Sequence, residues 1–247
     1  MHAARTRTVL VFSGLDPCGG AGIAADLAAI GAQGVHALPI VTALTVQDHN
    51  RVYAIEPVDA SFIARQALAL ERTVTIDAVK LGIPGNRANA DVIAACILHL
   101  RRSAPDLPVV LDPVLASGHG DHLAHGDARA ALAPLLALAT IATPNAGEAQ
   151  LLDLSDCPHV LVTGGHADGP QVINCWRGEG MRRDWHWPRL TGQFHGSGCT
   201  LAAALAARLA LGEPVEQALE AAQVFTQGAL ATAFALGEGQ RIPRRFR

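Results

Sequence analysis

Short apolar runs alternate with longer segments of helical spacing along this chain, and that alternation restricts its fold more than any other feature. The apolar runs are continuous, which is typical of strands buried on both faces of a sheet. We predict strands at Thr8–Ser13, Ala37–Val46, Val52–Ile55, Ile76–Gly82, Pro108–Val114, Thr140–Thr143, Val160–Thr163 and Val172–Trp176. Helices are predicted at Gly19–Gln33, Ala60–Arg72, Ala88–Arg102, Ala124–Leu138, Cys199–Leu211 and Val215–Phe234. The sequence therefore predicts an α/β fold with a mainly parallel sheet and helices on both faces.

The segment Arg177–Trp187 is polar and aromatic, and we interpret it as an edge or loop excursion from that sheet. No linker or repeat divides the chain, so residues 1–247 are expected to form a single domain. Ligands of such sheets collect at the carboxyl ends of the strands. Candidate residues fall there, with Gly14 and Asp16 after the first strand, Gln47 after the second, Asp112 within Pro108–Val114 and Asn145 after Thr140–Thr143.

Composition excludes several classes of protein. Half of the 247 residues are apolar and 17% are charged, which allows a large core and argues against disorder. The formal charge is −3, without the basic stripe of a nucleic-acid surface. Five cysteines form no CxxC pair, so we expect no disulfide framework or structural zinc, and a reducing compartment fits better. The apolar stretches are too short for a signal peptide or a membrane span, so a cytoplasmic protein without nucleic-acid or membrane partners is expected.

Two glycine-rich turns are the strongest candidate site. The first glycine turn, Gly14–Gly22 (GLDPCGGAG), follows a strand and lets the backbone approach a ligand closely. The second glycine turn, His195–Thr200 (HGSGCT), precedes an Ala-rich helix, whose free N–H groups and dipole favour an anion such as a phosphate in transfer. Cys199 lies where the dipole favours a thiolate. Taken alone, each motif could equally be an ordinary tight turn, and Cys199 a small core residue.

Two further motifs follow later strands. Thr143–Glu148 (TPNAGE) places Asn145 and Glu148 on one side of a starting helix, where their oxygens could hold Mg²⁺. The same pair is equally typical of a helix cap. Val162–His166 (VTGGH) is another close-approach turn, or a simple glycine loop. The 11 histidines show no paired-ligand spacing, so we expect single ones such as His49 and His119 to be structural or solvated.

Together and in this order, the motifs resemble the hydroxymethylpyrimidine/phosphomethylpyrimidine kinase (ThiD) family of the ribokinase-like superfamily. The resemblance runs from about Val9 to Thr232. It is carried by Gly14–Asp26 (GLDPCGGAGIAAD), Thr42–Asp48 (TALTVQD), Lys80–Gly82 (KLG), Leu111–Val114 (LDPV), Thr143–Ala149 (TPNAGEA) and His195–Thr200 (HGSGCT). The cysteine of the last motif is a specific mark, because most ribokinase-like sugar kinases carry aspartate there. The resemblance implies a ribokinase-like three-layer α/β/α fold with a mainly parallel central sheet.

The resemblance also implies an activity and a set of site residues. The activity is ATP-dependent phosphorylation of 4-amino-5-hydroxymethyl-2-methylpyrimidine, and then of its monophosphate, in thiamine biosynthesis, with Mg²⁺. The pyrimidine would lie against Gln47, Gly14, Asp16, Ala21 and Val114. Phosphoryl transfer would involve Gly196, Ser197, Gly198 and Cys199, with Cys199 as base or anion-binding residue. The nucleotide would involve Asp112, Asn145, Glu148, Thr163 and Gly165, with Asp112 and Glu148 as metal ligands. A homodimer is possible, because superfamily members are often dimers.

Two departures from the family pattern fall on the nucleotide side. Thr163 stands where family members usually carry a phosphate-binding lysine, and the segment between Asn145 and Val160 lacks a longer helical insert. The chain's single lysine, Lys80, belongs to another motif, although an arginine from elsewhere could fill the place. The alternatives are therefore a pyridoxal or pyridoxine kinase, and a weakly active or non-catalytic pyrimidine-binding protein.

Overall fold

The computed structural model describes residues 5–116, 120–121, 123–165 and 168–246. Its strands are β1 (Thr8–Leu15), β2 (His36–Gln47), β3 (Val52–Pro57), β4 (Ala78–Leu81), β5 (Val109–Leu111), β6 (Ile141–Ala142), β7 (His159–Val162), β8 (Gln171–Gly178) and β9 (Met181–Pro188). Its helices are α1 (Gly22–Ala32), α2 (Ala60–Glu71), α3 (Arg87–Leu100), α4 (Ala128–Leu136), α5 (Ala146–Leu151), α6 (Ser197–Ala210) and α7 (Val215–Ala231). His119 and His166 lie outside the described residues.

The strands form one nine-stranded sheet in the order β3-β2-β1-β4-β5-β6-β7-β8-β9. The central pairings from β2 to β7 are parallel. Antiparallel pairing occurs where β3 joins one edge and where β8 and β9 join the other. The predicted α/β fold with a mainly parallel sheet is therefore confirmed, whereas the single domain over 1–247 stays a prediction.

The sheet separates two apolar cores, and β1 shows how. Val9 and Val11 belong to the core shared with α1, α6 and α7, while Leu10 and Phe12 belong to the core shared with α2, α3 and α4. All four side chains are at most 1% exposed. Full burial of one large aliphatic or aromatic side chain contributes about 1.5–3 kcal/mol. The continuous apolar run of β1 is therefore explained by its position, because helices cover the sheet on both faces.

The predicted boundaries of β5, α6 and α4 differ from those in the structure. β5 ends at Leu111, so Asp112 follows the strand rather than lying within it. α6 begins at Ser197 rather than Cys199. α4 begins after Asp127, because that side chain caps the helix by accepting two backbone N–H bonds. Of the two interpretations of Arg177–Trp187, the edge is confirmed and the loop is wrong, since β8 and β9 pair as an antiparallel hairpin at the sheet edge.

Two of the compositional expectations can be compared directly with the structure. All five cysteines are free thiols, as expected. No helix in the described ranges is long and apolar enough to cross a membrane.

Candidate active site

The carboxyl ends of the parallel strands meet at one edge of the sheet, and the predicted site residues lie along it. β1 leads into the first glycine turn, β2 ends at Gln47, and β5 is followed directly by Asp112. β6 and β7 lead to Asn145 and Thr163, which pair as an isolated bridge. The Thr163 N–H donates to the Pro144 carbonyl oxygen at 2.8 Å. The turn that carries Asn145 and the turn that carries Thr163 are therefore direct neighbours.

The first glycine turn is organised by the buried carboxylate of Asp16. This carboxylate accepts the N–H of Ala21 at 2.7 Å and the N–H of Cys18 at 2.9 Å. The Cys18 thiol donates to it at 3.1 Å, and His195 Nε2 lies 2.9 Å from Asp16 Oδ2. Burial alone would raise the pKa of Asp16, but the bonds from His195 and Cys18 hold it below its ordinary value. Asp16 therefore shapes the turn, and its contact with a substrate stays a prediction.

Asp16, Cys18 and His195 offer three ligand atoms that lie within 4.8 Å of one another, close enough to hold a metal ion. The same atoms already satisfy each other by hydrogen bonds. Burial also raises the pKa of the Cys18 thiol to about 12, so the thiol is protonated and donates to Asp16. This cluster is therefore complete as a hydrogen-bonded link between the two glycine turns.

The two glycine turns touch at Gly20 and Gly196, where there is little room for a side chain. A Cβ atom on Gly20 would collide with His195 and Ile242. Gly196 has a left-handed φ of 78°, and a Cβ atom there would collide with the Gly20 carbonyl oxygen. Gly196 is also the N-cap of α6, so the free N–H groups of the first helical turn begin directly after it. The arrangement can bind an anion at this helix start.

A buried cluster of charged groups lies beneath the second glycine turn. Lys80 Nζ is 2.8 Å from Asp26 Oδ2, and both side chains are fully buried. The oxygens of Asp112 lie 3.5 Å from the position that a Cβ atom on Gly198 would take. Burial raises the pKa of Asp112 to about 6, although Lys80 and a hydrogen bond from Cys199 act in the opposite direction. The Asp112 carboxylate is therefore mainly ionised at neutral pH.

The surroundings of Cys199 oppose the thiolate that the helix dipole alone would favour. Burial raises the pKa of the Cys199 thiol to about 12, and the negative charges of Asp112 and Asp26 raise it further against the influence of Lys80. The thiol is protonated at neutral pH and can donate a hydrogen bond. Cys199 alone is therefore not a ready base.

Asn145 and Glu148 form the helix cap that was one of the two interpretations of their motif. Asn145 Oδ1 accepts the Glu148 N–H at 2.9 Å, and Glu148 Oε2 accepts the Asn145 N–H at 2.8 Å. Glu148 Oε1 also accepts the Leu115 N–H at 3.3 Å. Burial, and next the charge of Asp112, raise the pKa of Glu148 to about 7. In the described part of the chain, buried Asp112 Oδ2 has no hydrogen-bond partner, which leaves it free for a cation.

The other residues predicted to contact a substrate lie at four elements, β1, α1, β2 and the chain after β5. Gly14 is buried near the end of β1, and Ala21 is the half-buried N-cap of α1. Gln47 is half-buried at the end of β2, where the pairing with β3 shifts register. Val114 is half-buried beyond β5, and its N–H donates to the Asp112 carbonyl oxygen at 2.9 Å. The first turn joins Gly14 to Ala21 directly, whereas a shared pocket with Gln47 and Val114 stays a prediction.

An arginine lies beside the turn that carries Thr163. The Arg189 guanidinium donates to the carbonyl oxygens of Gly165 at 2.8 Å and Gly169 at 2.7 Å. It also approaches the Gly164 carbonyl oxygen at 3.4 Å. These donors therefore hold the glycine loop in place, and Gly165 itself is exposed.

Sequence reasoning missed Arg245. This side chain is 4% exposed and lies against both glycine turns. It donates to the carbonyl oxygens of Gly20 and Gly196 and, at 2.8 Å, to the Thr200 hydroxyl. The residue lies in a basic tail without a motif, beyond the range of the family resemblance. The cluster of arginines in that tail was the only signal in the sequence.

Comparisons with known proteins show the family of the chain. The family model described as phosphomethylpyrimidine kinase matches residues 16–157 and 150–243. The hydroxymethylpyrimidine/phosphomethylpyrimidine kinase of Rhizobium meliloti is 36% identical, over 95% of this chain and 94% of its own length. The thiamine biosynthesis multifunctional protein ThiED of Corynebacterium efficiens is 36% identical over 94% of this chain, but the match spans only 34% of that longer protein.

Solved structures share the ribokinase-like fold. An ADP complex of Bacillus subtilis pyridoxal kinase has a TM-score of 0.85 and 25% identity, with 98% of both chains covered. The phosphomethylpyrimidine kinase of Clostridium difficile has a TM-score of 0.75 and 27% identity, with 92% of this chain and 100% of the other covered. The expected three-layer fold is confirmed. Because both kinds of kinase match, the fold alone does not select the heterocycle.

Proposed function

The chain belongs to the phosphomethylpyrimidine kinase family, and from that premise we propose the reaction that it carries out. It transfers the γ-phosphoryl group of ATP to the hydroxymethyl group of 4-amino-5-hydroxymethyl-2-methylpyrimidine, and then to the resulting monophosphate, in thiamine biosynthesis. The observation that carries the proposal is the contact between the two glycine turns, with the free N–H groups of α6 and ionised Asp112 beside it.

The pyrimidine binds at the end of the site formed by the first glycine turn and Gln47. A side-chain amide can donate to a ring nitrogen and accept from an exocyclic amine, so Gln47 suits an aminopyrimidine edge. Gly14 and Ala21 allow the ring to approach the backbone, and the half-buried Val114 offers an apolar surface. The nucleotide lies on the other side, toward Asn145, Thr163 and Gly165.

Phosphoryl transfer makes few covalent demands on a protein and depends on alignment and on stabilisation of negative charge. The N–H groups that follow Gly196 at the start of α6 bind the transferring phosphoryl oxygens. The protonated Cys199 thiol lies at the same helix start and donates its hydrogen bond to Asp112. As the hydroxymethyl oxygen loses its proton to the Cys199 sulfur, the thiol proton passes to Asp112, which already accepts a hydrogen bond from that thiol.

Mg²⁺ fits the pair of carboxylates at Asp112 and Glu148. Asp112 Oδ2 is buried and lacks a hydrogen-bond partner in the described ranges, and the Asp112 charge helps to raise the pKa of Glu148. A divalent cation relieves that repulsion, and carboxylate oxygens are its preferred ligands. Asp112, together with Glu148, whose oxygens already accept N–H bonds, would hold the ion. When bound, the ion would offset negative charge on the phosphates.

Phosphorylation of pyridoxal or pyridoxine is the second candidate, and the match to Bacillus subtilis pyridoxal kinase supports it. Gln47 distinguishes the two candidates, since its amide complements the aminopyrimidine. Cytoplasmic location and a homodimer stay predictions.

Incubation of the purified chain with ATP, Mg²⁺ and each heterocycle separately tests the proposal, with phosphate esters measured by mass spectrometry. We expect the monophosphate and then the diphosphate of the aminopyrimidine alcohol. Esters of pyridoxal or pyridoxine alone would instead support the second candidate. No ester with any heterocycle, despite ligand binding, would support a non-catalytic pyrimidine-binding protein.

A further inference from the structure

The chain that follows α7 runs back across the two glycine turns. Phe234 and Ile242 exchange backbone hydrogen bonds of 3.0 and 2.8 Å. The Arg241 N–H donates to Gln193 at 2.8 Å, and its carbonyl oxygen accepts the His195 N–H at 2.9 Å. We call residues 234–246 the C-terminal strap. It is paired directly with the second glycine turn.

The strap also reaches the first glycine turn and the end of β2. Ile242 Cδ1 lies 2.5 Å from the position that a Cβ atom on Gly20 would take. Asn50, three residues beyond Gln47, accepts the Gln240 N–H at 2.9 Å and donates to the Glu238 carbonyl oxygen at 3.0 Å. The strap therefore joins three chain segments that the proposed reaction uses.

Arg245 is the buried cation of the strap. In the described part of the chain its hydrogen bonds go to uncharged oxygens, namely the carbonyls of Gly20 and Gly196 and the Thr200 hydroxyl. Asp26 and Asp16 act on its charge only over a longer range. A buried charge without a bonded counter-ion is unfavourable. An anion that binds beside Arg245 would remove that cost.

Other cations near the site have partners or are open to solvent. Lys80 is neutralised by Asp26 at 2.8 Å, with both side chains fully buried. Arg189 is only half-buried and holds the loop beside Thr163, so water screens its charge. Thr163 itself offers only a neutral hydroxyl. Among the described cations near the site, Arg245 is therefore the one that is buried and has no carboxylate in an ion pair with it.

We propose that Arg245 supplies the positive charge of the phosphoryl-transfer pocket and acts on it through the second glycine turn, as a positioning residue. The inference rests on the proposed kinase function. The Gly196 carbonyl oxygen accepts from Arg245, from the Thr200 hydroxyl at 2.7 Å and from the Thr200 N–H at 3.0 Å. The opposite end of that planar peptide group is the Ser197 N–H, for which the described part of the chain provides no backbone acceptor. Hydrogen bonds to the carbonyl polarise the peptide and strengthen this N–H as a donor to phosphate.

Arg245→Gln tests the inference, because glutamine can still bond a carbonyl but carries no charge. We expect kcat to fall about 10²-fold, while KM for the pyrimidine stays within about threefold of the wild-type value. The kcat of Arg245→Lys should be at least about tenfold higher than that of Arg245→Gln. Arg244→Gln is the matched control, since Arg244 is exposed and its guanidinium donates to Thr232, and it should keep wild-type kcat. Thermal unfolding establishes that each variant is folded.

Calorimetric binding of tripolyphosphate provides a readout that does not depend on the identity of the acceptor. Wild type and Arg245→Lys should bind tripolyphosphate about tenfold more tightly than Arg245→Gln, even if no heterocycle is phosphorylated. If the Gln variant does not fold, Arg245→Lys provides the test. Its tripolyphosphate affinity should lie within about threefold of wild type. Its kcat should be about tenfold lower than that of wild type, because lysine cannot bridge the carbonyls of Gly20 and Gly196.

Four results would overturn the inference. One is a folded Arg245→Gln variant with wild-type kcat, and another is equal tripolyphosphate affinity in that variant and wild type. A third is an Arg245→Lys variant as impaired as the Gln variant, which would assign Arg245 a role of shape alone. The fourth is an equal loss of pyrimidine binding and kcat in Arg245→Gln, which would indicate general damage to the site. Failure of the proposed function would instead appear as tripolyphosphate binding without turnover.

Discussion

Replacement of Lys80 by methionine tests the buried charge cluster beneath the second glycine turn. Methionine keeps the length of the side chain but leaves the Asp26 carboxylate, 2.8 Å away and fully buried, without its counter-ion. Removal of one partner from a buried ion pair costs about 3–5 kcal/mol. We expect the free energy of unfolding to fall by that amount. Since domains are stable by only about 5–15 kcal/mol, the variant should be folded but close to its limit.

Urea unfolding at neutral pH measures this loss. A double variant, Lys80→Met with Asp26→Leu, should recover at least half of it, because no unpaired charge then remains buried. Arg87→Met is the control, since the Arg87–Asp91 pair is 57% and 52% exposed and such surface pairs contribute at most about 0.5 kcal/mol. A loss below about 1 kcal/mol in Lys80→Met, or no recovery in the double variant, would refute the reasoning.

The same variant has a second effect, on Asp112. Lys80 holds the pKa of this carboxyl down against burial, near 6. Without that charge the pKa rises, so activity that needs the ionised carboxylate should be lost at a higher pH than in wild type. The acid limb of kcat/KM against pH therefore shifts upward in Lys80→Met. An unshifted limb would remove Asp112 from the proton path.

Four more substitutions follow from the site. Cys199→Ala should lower kcat about 10²-fold or more with pyrimidine binding largely intact by calorimetry, and near-wild-type turnover would exclude Cys199 from transfer. Gln47→Leu should weaken calorimetric binding of the aminopyrimidine by about 1–3 kcal/mol but not that of ATP, whereas equal losses would indicate a role in the fold. Thr163→Lys should leave kcat/KM for ATP unchanged or lower it, because Arg245 already supplies a cation, and a gain would show that the charge is missing. Glu148→Gln should remove a pH dependence of stability that thermal unfolding measures. Because the pKa of Glu148 is raised to about 7, its contribution to the free energy of unfolding is full below about pH 4.5 and falls by up to about 3 kcal/mol as the pH rises through 7. Parallel stability profiles of wild type and variant would contradict this.

The fold was predictable because its strands are buried on both faces. Continuous apolar runs such as Thr8–Ser13 identify them without knowledge of their neighbours. The hairpin of β8 and β9 was partly missed, because an edge hairpin buries only alternate residues. Trp176 and Trp185 are buried there, while Arg182 and Asp184 between them are exposed, so the local composition resembles a loop.

The site was predictable only where its chemistry is local. Asn145 and Glu148 lie three residues apart, and both the cap and the motif follow from that spacing. The state of Cys199 depends on Asp112 and Asp26, which come from other elements, so the local helix dipole gave the wrong expectation. Arg245 contacts Gly20 across 225 residues of chain. No pattern within the tail could reveal that contact.

A competition between two acceptors tests the central claim, that this site phosphorylates an aminopyrimidine alcohol. Wild-type chain is given ATP, Mg²⁺ and equal concentrations of 4-amino-5-hydroxymethyl-2-methylpyrimidine and pyridoxine in one vessel. The initial ratio of the two phosphate esters, measured by mass spectrometry, equals the ratio of the two kcat/KM values. A lost amide pair is worth about 1–3 kcal/mol, so we expect the pyrimidine ester to exceed pyridoxine phosphate about tenfold or more. An excess of pyridoxine phosphate, or ATP hydrolysis without either ester, would contradict the account.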